Sequence, residues 1–260
     1  MTDDALPADA PMFEAPIDNP AHVRNASEVR THRQALRVFF SKKTPRRLAT
    51  IAATSWAARL LLGPPGLRDV AAAAAAIAVW PVQEWVLHKY LLHLEPRTVA
   101  GIRIDPDFAR AHRDHHADPR DIDKTLLPLR TIRQALPFAA GAWLLAFGPT
   151  RAAVTGMATY STMTLFYEWT HFIVHTNVKP RTRYGEKVRK NHRLHHFRHE
   201  DYWFAFTLPI IDRVLGTDPD PDTITRSRTV MNLYGTRPDK PGSPADVASP
   251  VTADATRRPD

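Results

Sequence analysis

The sequence predicts an all-α integral membrane protein with four transmembrane helices in two hairpins and a cytosolic helical cap. The first observation is a set of four apolar runs that are separated by polar segments. The second is that only a short turn rich in Gly and Pro joins the runs within each pair, which is typical of a helical hairpin. The predicted helices cover residues 48–62, 70–92, 132–147 and 152–174.

The first predicted helix is short for a bilayer and contains Arg59. We expect this side chain either to snorkel toward the nearby interface or to face a partner helix. Pro81 lies within the second run and is predicted to kink it, because proline removes a helical hydrogen bond.

The third observation is the distribution of basic residues. Residues 37–47, 97–133 and 178–199 are rich in Lys and Arg, whereas the two hairpin turns have only Arg68 and Arg151 near them. By the positive-inside rule, a multi-pass protein with these spans has both termini and all the clustered histidines on the cytoplasmic side.

The two ends of the chain lack apolar periodicity. We predict a disordered lead over residues 1–35, a membrane-embedded catalytic domain over 36–234 and a disordered tail over 235–260. The first residues contain no basic and apolar segments of the kind that form a signal peptide.

Composition limits the chemistry. The 260 residues include no cysteine, which excludes disulfides, thiolate-bound haem and cysteine-bound iron–sulfur clusters. The net charge of +8 fits nucleic acid, an anionic membrane surface or neither. We attribute it to solvated positive-inside charge and expect no nucleic-acid partner, while an acidic redox partner or anionic lipid stays an alternative.

Histidines carry the functional signal. An HxxHH motif occurs twice, and a histidine pair precedes each copy. Positions i, i+3 and i+4 of a helix lie on one side, so we expect the imidazoles of each motif to converge on one point. One ion takes four to six ligands, so the ten clustered histidines predict two metal ions, and imidazole suits iron, zinc, copper and nickel alike. The candidate ligands are His88, His93, His112, His115, His116, His171, His175, His192, His195 and His196.

The two histidine pairs differ in spacing. His171 and His175 are four residues apart, so they share a helix face and are predicted to chelate together. His88 and His93 are five residues apart and would diverge on a regular helix. They therefore either bind different ions or lie where the helix is distorted.

Other polar residues near these motifs have less defined roles. Glu84 and Glu168 shortly precede His88 and His171, and two hypotheses stay open for both carboxylates. Each either accepts an N–H bond from its neighbouring histidine or pairs with an Arg at the membrane interface. His199 is either a further ligand or a second-layer or head-group contact, and His22 and His32 are expected to be structural. We expect Asp201 and Asp212 to cap helices or pair with Arg rather than take part in catalysis.

The order HX4H, HX2HH, HX3H, HX2HH resembles the fatty acid hydroxylase and sterol desaturase superfamily. The stretch 195–204 followed by Ile-Asp-Arg-Val-Leu-Gly-Thr at 211–217 is similar to the end of that family's domain. The resemblance implies that the ten histidines bind two iron ions, with zinc as the alternative in isolated protein. It also implies O2 as co-substrate, two reducing electrons and hydroxylation or desaturation of a lipid.

The leading hypothesis is therefore a hydroxylase that acts on an unactivated C–H bond of a fatty acyl chain or acyl lipid. Because only His22 and His32 precede the helices, we expect a separate electron-donor protein rather than a fused haem domain. The alternatives are a carotenoid or sterol hydroxylase or desaturase and, from another class, a non-enzymatic bis-histidine haem electron carrier. A haem carrier of this kind is expected to have single histidines that face each other within the bilayer, and this sequence does not show that pattern.

Overall fold

The computed structural model describes residues 17–235 and is mostly helical. The only β-strands of that range are β1 (Arg97–Val99) and β2 (Ile102–Ile104), which form an antiparallel hairpin. The helices are α1 (His32–Ser41), α2 (Lys43–Leu61), α3 (Leu67–Val86), α4 (Asp107–Ala117), α5 (Ile122–Thr125), α6 (Leu129–Phe147), α7 (Arg151–His175), α8 (Arg183–Phe197) and α9 (Ile210–Val214).

Four long helices form the two predicted hairpins. Glycines with positive φ stand at both turns, Gly63 between α2 and α3 and Gly148 between α6 and α7, because glycine adopts the left-handed region without steric cost. Helix α7 is the central element and packs against α2, α3 and α6. Gly156 allows the closest approach, since a Cβ there would lie only 2.3 Å from the indole of Trp143 on α6.

The turn ends of α2 and α3 are linked by a buried ion pair. Arg59 Nε donates to Asp69 Oδ1 over 2.8 Å and to Thr155 Oγ1 of α7 over 2.6 Å. Arg59 therefore faces partner helices, which is the second of the two predicted possibilities.

Only one helix of the described range, Leu67–Leu92, is long and apolar enough to be a candidate membrane span. It comprises α3 and the π-helical turn that continues it. Helix α2 falls short because Lys43, Arg46, Arg47 and Arg59 interrupt its apolar residues. The hairpin architecture is thus present, while the crossing of a bilayer by all four helices stays a prediction.

Part of the predicted disordered lead packs onto the protein. Val23, Ala26 and Val29 are buried in a cluster with the α1 residue Phe39, and the amide of Ala26 donates to the carbonyl of Arg120 over 2.8 Å. Apolar side chains in an otherwise polar stretch supply this packing. The predictions for residues 1–16 and 236–260 lie outside the described residues.

Candidate metal centre

All ten predicted histidines meet at one end of the four long helices, in two groups of five. In each group the five ligand atoms lie within 4.8 Å of one another. The first group contains His88, His93, His112, His116 and His195, and the second contains His115, His171, His175, His192 and His196.

A distorted helix brings the first histidine pair together. The residues Leu87–Leu92 form a π-helical turn after α3, in which the amide of His93 donates to the carbonyl of His88 over 3.2 Å. A π-turn spaces residues i and i+5 as a regular helix spaces i and i+4, and such turns are frequent at functional sites. Both histidines therefore belong to one group, which is the distorted-helix alternative.

Each HxxHH motif contributes to both groups, contrary to the prediction that its three rings converge on one point. In α4, His112 and His116 join the first group while His115 joins the second. At 3.6 residues per turn the i and i+4 side chains differ by about 40°, but the i+3 side chain diverges by about 60° from i and about 100° from i+4. Helix α8 has the reverse assignment, with only its middle histidine in the first group.

The ring nitrogens within each group are very close. In the first group, Nε2 of His195 lies 3.1 Å from Nε2 of His116 and 3.2 Å from Nε2 of His93. In the second group, Nε2 of His175 lies 2.8 Å from Nε2 of His192. Two nitrogens bound to one ion at about 2.1 Å are separated by about 3.0 to 3.4 Å for bond angles from about 90° to about 109°, so most of these separations suit shared ligation.

Main-chain carbonyls orient three rings of the first group. The Nδ1 atoms of His88, His195 and His116 lie 2.7, 2.8 and 3.0 Å from the carbonyl oxygens of Phe204, Tyr202 and Val230. A carbonyl only accepts hydrogen bonds, so each Nδ1 carries the proton and each Nε2 keeps its lone pair. Hydrogen bonds of this kind orient metal-bound histidines in proteins.

This proton arrangement tests whether the residues fit a metal. His116 and His195 both direct a bare Nε2 lone pair at the other across 3.1 Å. Two lone pairs at that distance repel each other unless a cation lies between them. The donor set of buried neutral imidazoles therefore fits a transition-metal ion.

Burial keeps the imidazoles of α4 and α8 neutral. Desolvation is the largest cause that lowers the pKa of His116 to about 3, and it also lowers the pKa of His112, His115, His192 and His195 well below the usual histidine value. Neighbouring histidines add to the effect because two positive rings would repel each other. Uncharged rings are the form that binds a metal.

The two glutamates do not bond to the neighbouring histidines. Glu84 accepts from the amides of Phe206 and Thr207 over 2.7 and 3.0 Å, and Glu168 accepts from the amide of Leu127 over 2.7 Å. Both hypotheses from the sequence, a histidine partner and an interface Arg partner, are therefore wrong.

The remaining candidates lie outside the two groups. The Nδ1 of His199 accepts from the amide of Asp201 over 3.3 Å, and the residue belongs to neither set of converging ligands. Asp212 accepts from the amides of Phe204 and Ala205, both over 2.9 Å, so it anchors a loop rather than pairing with an Arg.

Sequence reasoning did not find the groups that surround the histidines. The carbonyls of Tyr202, Phe204 and Val230 act through the main chain, which leaves no residue-type signal. The rings of Phe204 and Phe206 pack on the two groups, Phe204 with its centroid 5.4 Å from that of His195 and Phe206 stacked 5.0 Å from His171. The aromatic run that contains them was the one available signal.

Comparisons with known proteins identify the family of the chain. Residues 73–217 match the family model described as fatty acid hydroxylase, and the chain belongs to that family. It is 26% identical over 147 residues to dihydroceramide fatty acyl 2-hydroxylase FAH2 of Arabidopsis thaliana, covering 56% of this chain and 60% of the relative. The corresponding values for FAH1 of the same plant are 29% over 146 residues, 55% and 58%.

A third relative is the fatty acid 2-hydroxylase of Macaca fascicularis, 24% identical over 147 residues, covering 52% of this chain and 36% of the relative. The chain thus matches about 60% or less of the length of these relatives. A solved structure, full-length scs7p with only the hydroxylase domain visible, shares the fold with a TM-score of 0.59 and 22% identity, covering 73% of this chain and 69% of that one.

Proposed function

We propose that this protein is a membrane-bound, O2-dependent di-iron hydroxylase that inserts a hydroxyl group into an unactivated C–H bond of a fatty acyl chain or acyl lipid. The observation that carries the proposal is the pair of adjacent five-histidine groups, in the first of which the bare Nε2 lone pairs of His116 and His195 face each other. Iron at both groups would supply the O2-derived oxidant that such a C–H bond requires and that side chains alone do not provide. Zinc is the expected replacement in isolated protein.

The histidines contribute by holding the ions and by excluding charge from the site. All ten supply neutral nitrogen ligands, and nine of them are buried. The rings of Phe204 and Phe206 lie directly on the two groups and keep water away from them. A dry, apolar wall of this kind favours an acyl chain over a polar substrate.

We further propose that the reacting carbon lies near the carboxyl end of the acyl chain. The three relatives described above are named as 2-hydroxylases, which supports carbon 2. The histidine groups lie at the ends of the long helices, where the carbons nearest a lipid head group would be found if the helices cross a bilayer. An acyl chain could then enter from the membrane while its head group stays in water.

The membrane part of the proposal has four spans, with both termini and the metal centre on the cytoplasmic side. Large apolar side chains support it, since Leu61 of α2, Leu67 of α3 and Leu145 of α6 are 88%, 87% and 90% exposed. Their exposure on three different helices suits a lipid environment better than water. The basic residues of the cap side suit the positive-inside rule.

A separate electron-donor protein completes the proposal. An open cleft of about 490 Å³ on the cap is lined by Lys179, Arg189, Lys190 and Arg193 together with Glu186. Lys190 and Arg193 lie on α8 on either side of His192 in the sequence. A donor bound at this cleft would therefore lie one helix away from the second group.

Mass spectrometry of lipids tests the proposal. Cells that express the protein, with a donor system shown to support a related enzyme, are compared with cells that express His195→Ala and with a His32→Ala control outside both groups. We expect acyl lipids with one added oxygen at carbon 2 in cells that express the intact protein or His32→Ala, and not in cells that express His195→Ala. Oxygen at another carbon would contradict the position, loss of two hydrogens would indicate a desaturase, and an unchanged lipid profile with iron bound would refute the acyl-hydroxylase proposal.

A further inference from the structure

Two buried glutamates occupy matching places in the two hairpins. Glu84 lies on α3 four residues before His88, and Glu168 lies on α7 three residues before His171. Their side chains are only 4% and 0% exposed, respectively. A buried carboxylate is costly unless hydrogen bonds compensate for the lost water, so its partners indicate its role.

Glu84 holds a loop of irregular structure, residues 202–207. Its Oε1 accepts from the amides of Phe206 and Thr207, and its Oε2 accepts from the hydroxyl of Thr207. Two residues before Phe206, the carbonyl of Phe204 accepts the Nδ1–H of His88 over 2.7 Å. Glu84 thus reaches the histidine on its own helix indirectly, through this loop.

Glu168 makes the same arrangement with a different segment. It accepts from the amide of Leu127 over 2.7 Å, in the connection between α5 and α6. Two residues before Leu127, the backbone of Thr125 lies beside the imidazole of His171. The amide held by each glutamate is therefore two residues after a main-chain group that lies beside the neighbouring histidine.

The two arrangements serve different histidine groups. His88 belongs to the first group and His171 to the second. We propose that Glu84 and Glu168 are paired positioning residues, each of which fixes one loop and, through it, one histidine of one metal site. Loss of the hydrogen bonds that either side chain accepts therefore impairs the binding of one metal and spares the other.

This inference rests on the proposed dimetal centre, and metal binding measures both. Purified protein is titrated with Fe²⁺ against a chelator, without any assay of activity. If the wild type binds no metal, the dimetal centre itself is refuted. If it binds two ions and the Glu84→Asp and Glu168→Asp variants bind both with wild-type affinity, only the positioning role is refuted.

Conservative variants separate positioning from charge. Glu84→Asp keeps the charge but shortens the side chain by one methylene, so it no longer reaches the amides of Phe206 and Thr207. Glu84→Gln loses the charge but keeps the acceptor oxygen. We expect Glu84→Asp to bind one ion about 10- to 100-fold more weakly and Glu84→Gln to stay near the wild type. The reverse order would show that the charge matters and would overturn the proposal.

Combination with histidine variants identifies the affected site. His93→Ala removes a ligand of the first group and His175→Ala removes one of the second. Glu84→Asp should add little to His93→Ala but should remove the remaining ion from His175→Ala. Glu168→Asp should show the opposite pattern. Equal losses from both sites would indicate general destabilisation and would contradict the inference.

The variants are expected to fold. Asp212 holds the same loop through the amides of Phe204 and Ala205, and it stays in place when Glu84 is changed. A melting temperature of each metal-free variant, compared with the metal-free wild type, checks this expectation. A Glu84→Gln protein that folds as the wild type does but loses both ions would also refute the proposal.

Discussion

The amide of His93 donates a hydrogen bond to the carbonyl of His88 over 3.2 Å, five residues earlier in the chain. This bond widens the end of the α3 helix into a π-turn, and the centroids of the two imidazole rings lie 5.2 Å apart. A regular helix would direct the rings apart. The π-turn therefore brings both rings of the first histidine pair into one group.

The grouping of the histidines predicts non-additive losses of metal. His88→Ala should leave about one ion per chain, and the double variant His88→Ala/His93→Ala should also leave about one, because both changes damage the same group. His88→Ala/His175→Ala should leave almost none, since it damages both groups. Changes at separate sites add, whereas changes within one network do not.

Iron content of purified protein, measured by elemental analysis, checks this prediction. His32→Ala is the control, because this histidine belongs to neither group. A double variant of His88 and His93 that lost both ions would show that the two residues bind different metals.

The ion pair between Arg59 and Asp69 predicts a large effect on stability far from the histidines. Arg59→Met should lower the melting temperature in detergent, because it leaves Asp69 buried with fewer donors. The double variant Arg59→Met/Asp69→Asn should recover part of the loss, since position 69 then no longer buries a charge that has lost its partner Arg59. Metal content of the folded protein should not change, and a single variant as stable as the wild type would show that the pair contributes little.

The sequence predicted the long helices well because their signals are local. The structural bounds of α6 and α7 differ from the predicted runs by only a few residues at either end. The hairpin turns were predicted from the short segments that contain Gly63 and Gly148, since the preference of glycine for a turn is also local. The set of ten candidate histidines was also predicted from the sequence, since the spacing of side chains along a helix is a property of the sequence.

Other features depend on contacts between distant segments. The division of each HxxHH motif between two groups depends on how α4 and α8 face each other, which spacing alone does not give. Glu84 bonds to residues 206 and 207, more than a hundred positions away. The packing of residues 17–31 was missed for the same reason, because their few apolar side chains are buried only by later segments.

Burial of the histidines on α4 and α8 predicts that the metal-free protein is unstable in acid. The folded state holds His116 with a pKa of about 3, whereas an unfolded chain takes up a proton below about pH 6.5. The stabilising contribution of this histidine is therefore complete above about pH 6.5 and is lost as the pH falls toward about 3. At about pH 5 the protonation of this residue in the unfolded chain lowers the free energy of unfolding by about 2 kcal/mol.

Melting temperatures of chelator-treated protein between about pH 7.5 and about pH 5 measure this effect. Because His112, His115, His192 and His195 also have a lowered pKa, we expect a steep decrease. Protein with bound metal should resist acid to a lower pH, since protons must then compete with the ion. A metal-free protein with the same melting temperature across this range would contradict the prediction.

A C-terminal strap, residues 225–234, follows the part of the chain that matches the family model. The carbonyl of Val230 accepts the Nδ1–H of His116 over 3.0 Å, and the hydroxyl of Tyr234 donates to the carbonyl of His93. Glu200 secures the strap by accepting from the hydroxyls of Ser227 and Thr229. Both histidines that the strap contacts belong to the first group.

The strap predicts a selective effect of truncation. A chain that ends at Ile224 should lose the ion of the first group, because His116 would no longer have the carbonyl that fixes its tautomer. A chain that ends at Gly235 keeps every contact of the strap and serves as the matched control. Iron content should decrease from about two to about one in the shorter chain only, and adding His175→Ala to it should remove the rest. If the shorter chain kept both ions, the position of His93 at the end of the π-turn and that of His116 on α4 would be enough for binding, and the strap would not contribute to it.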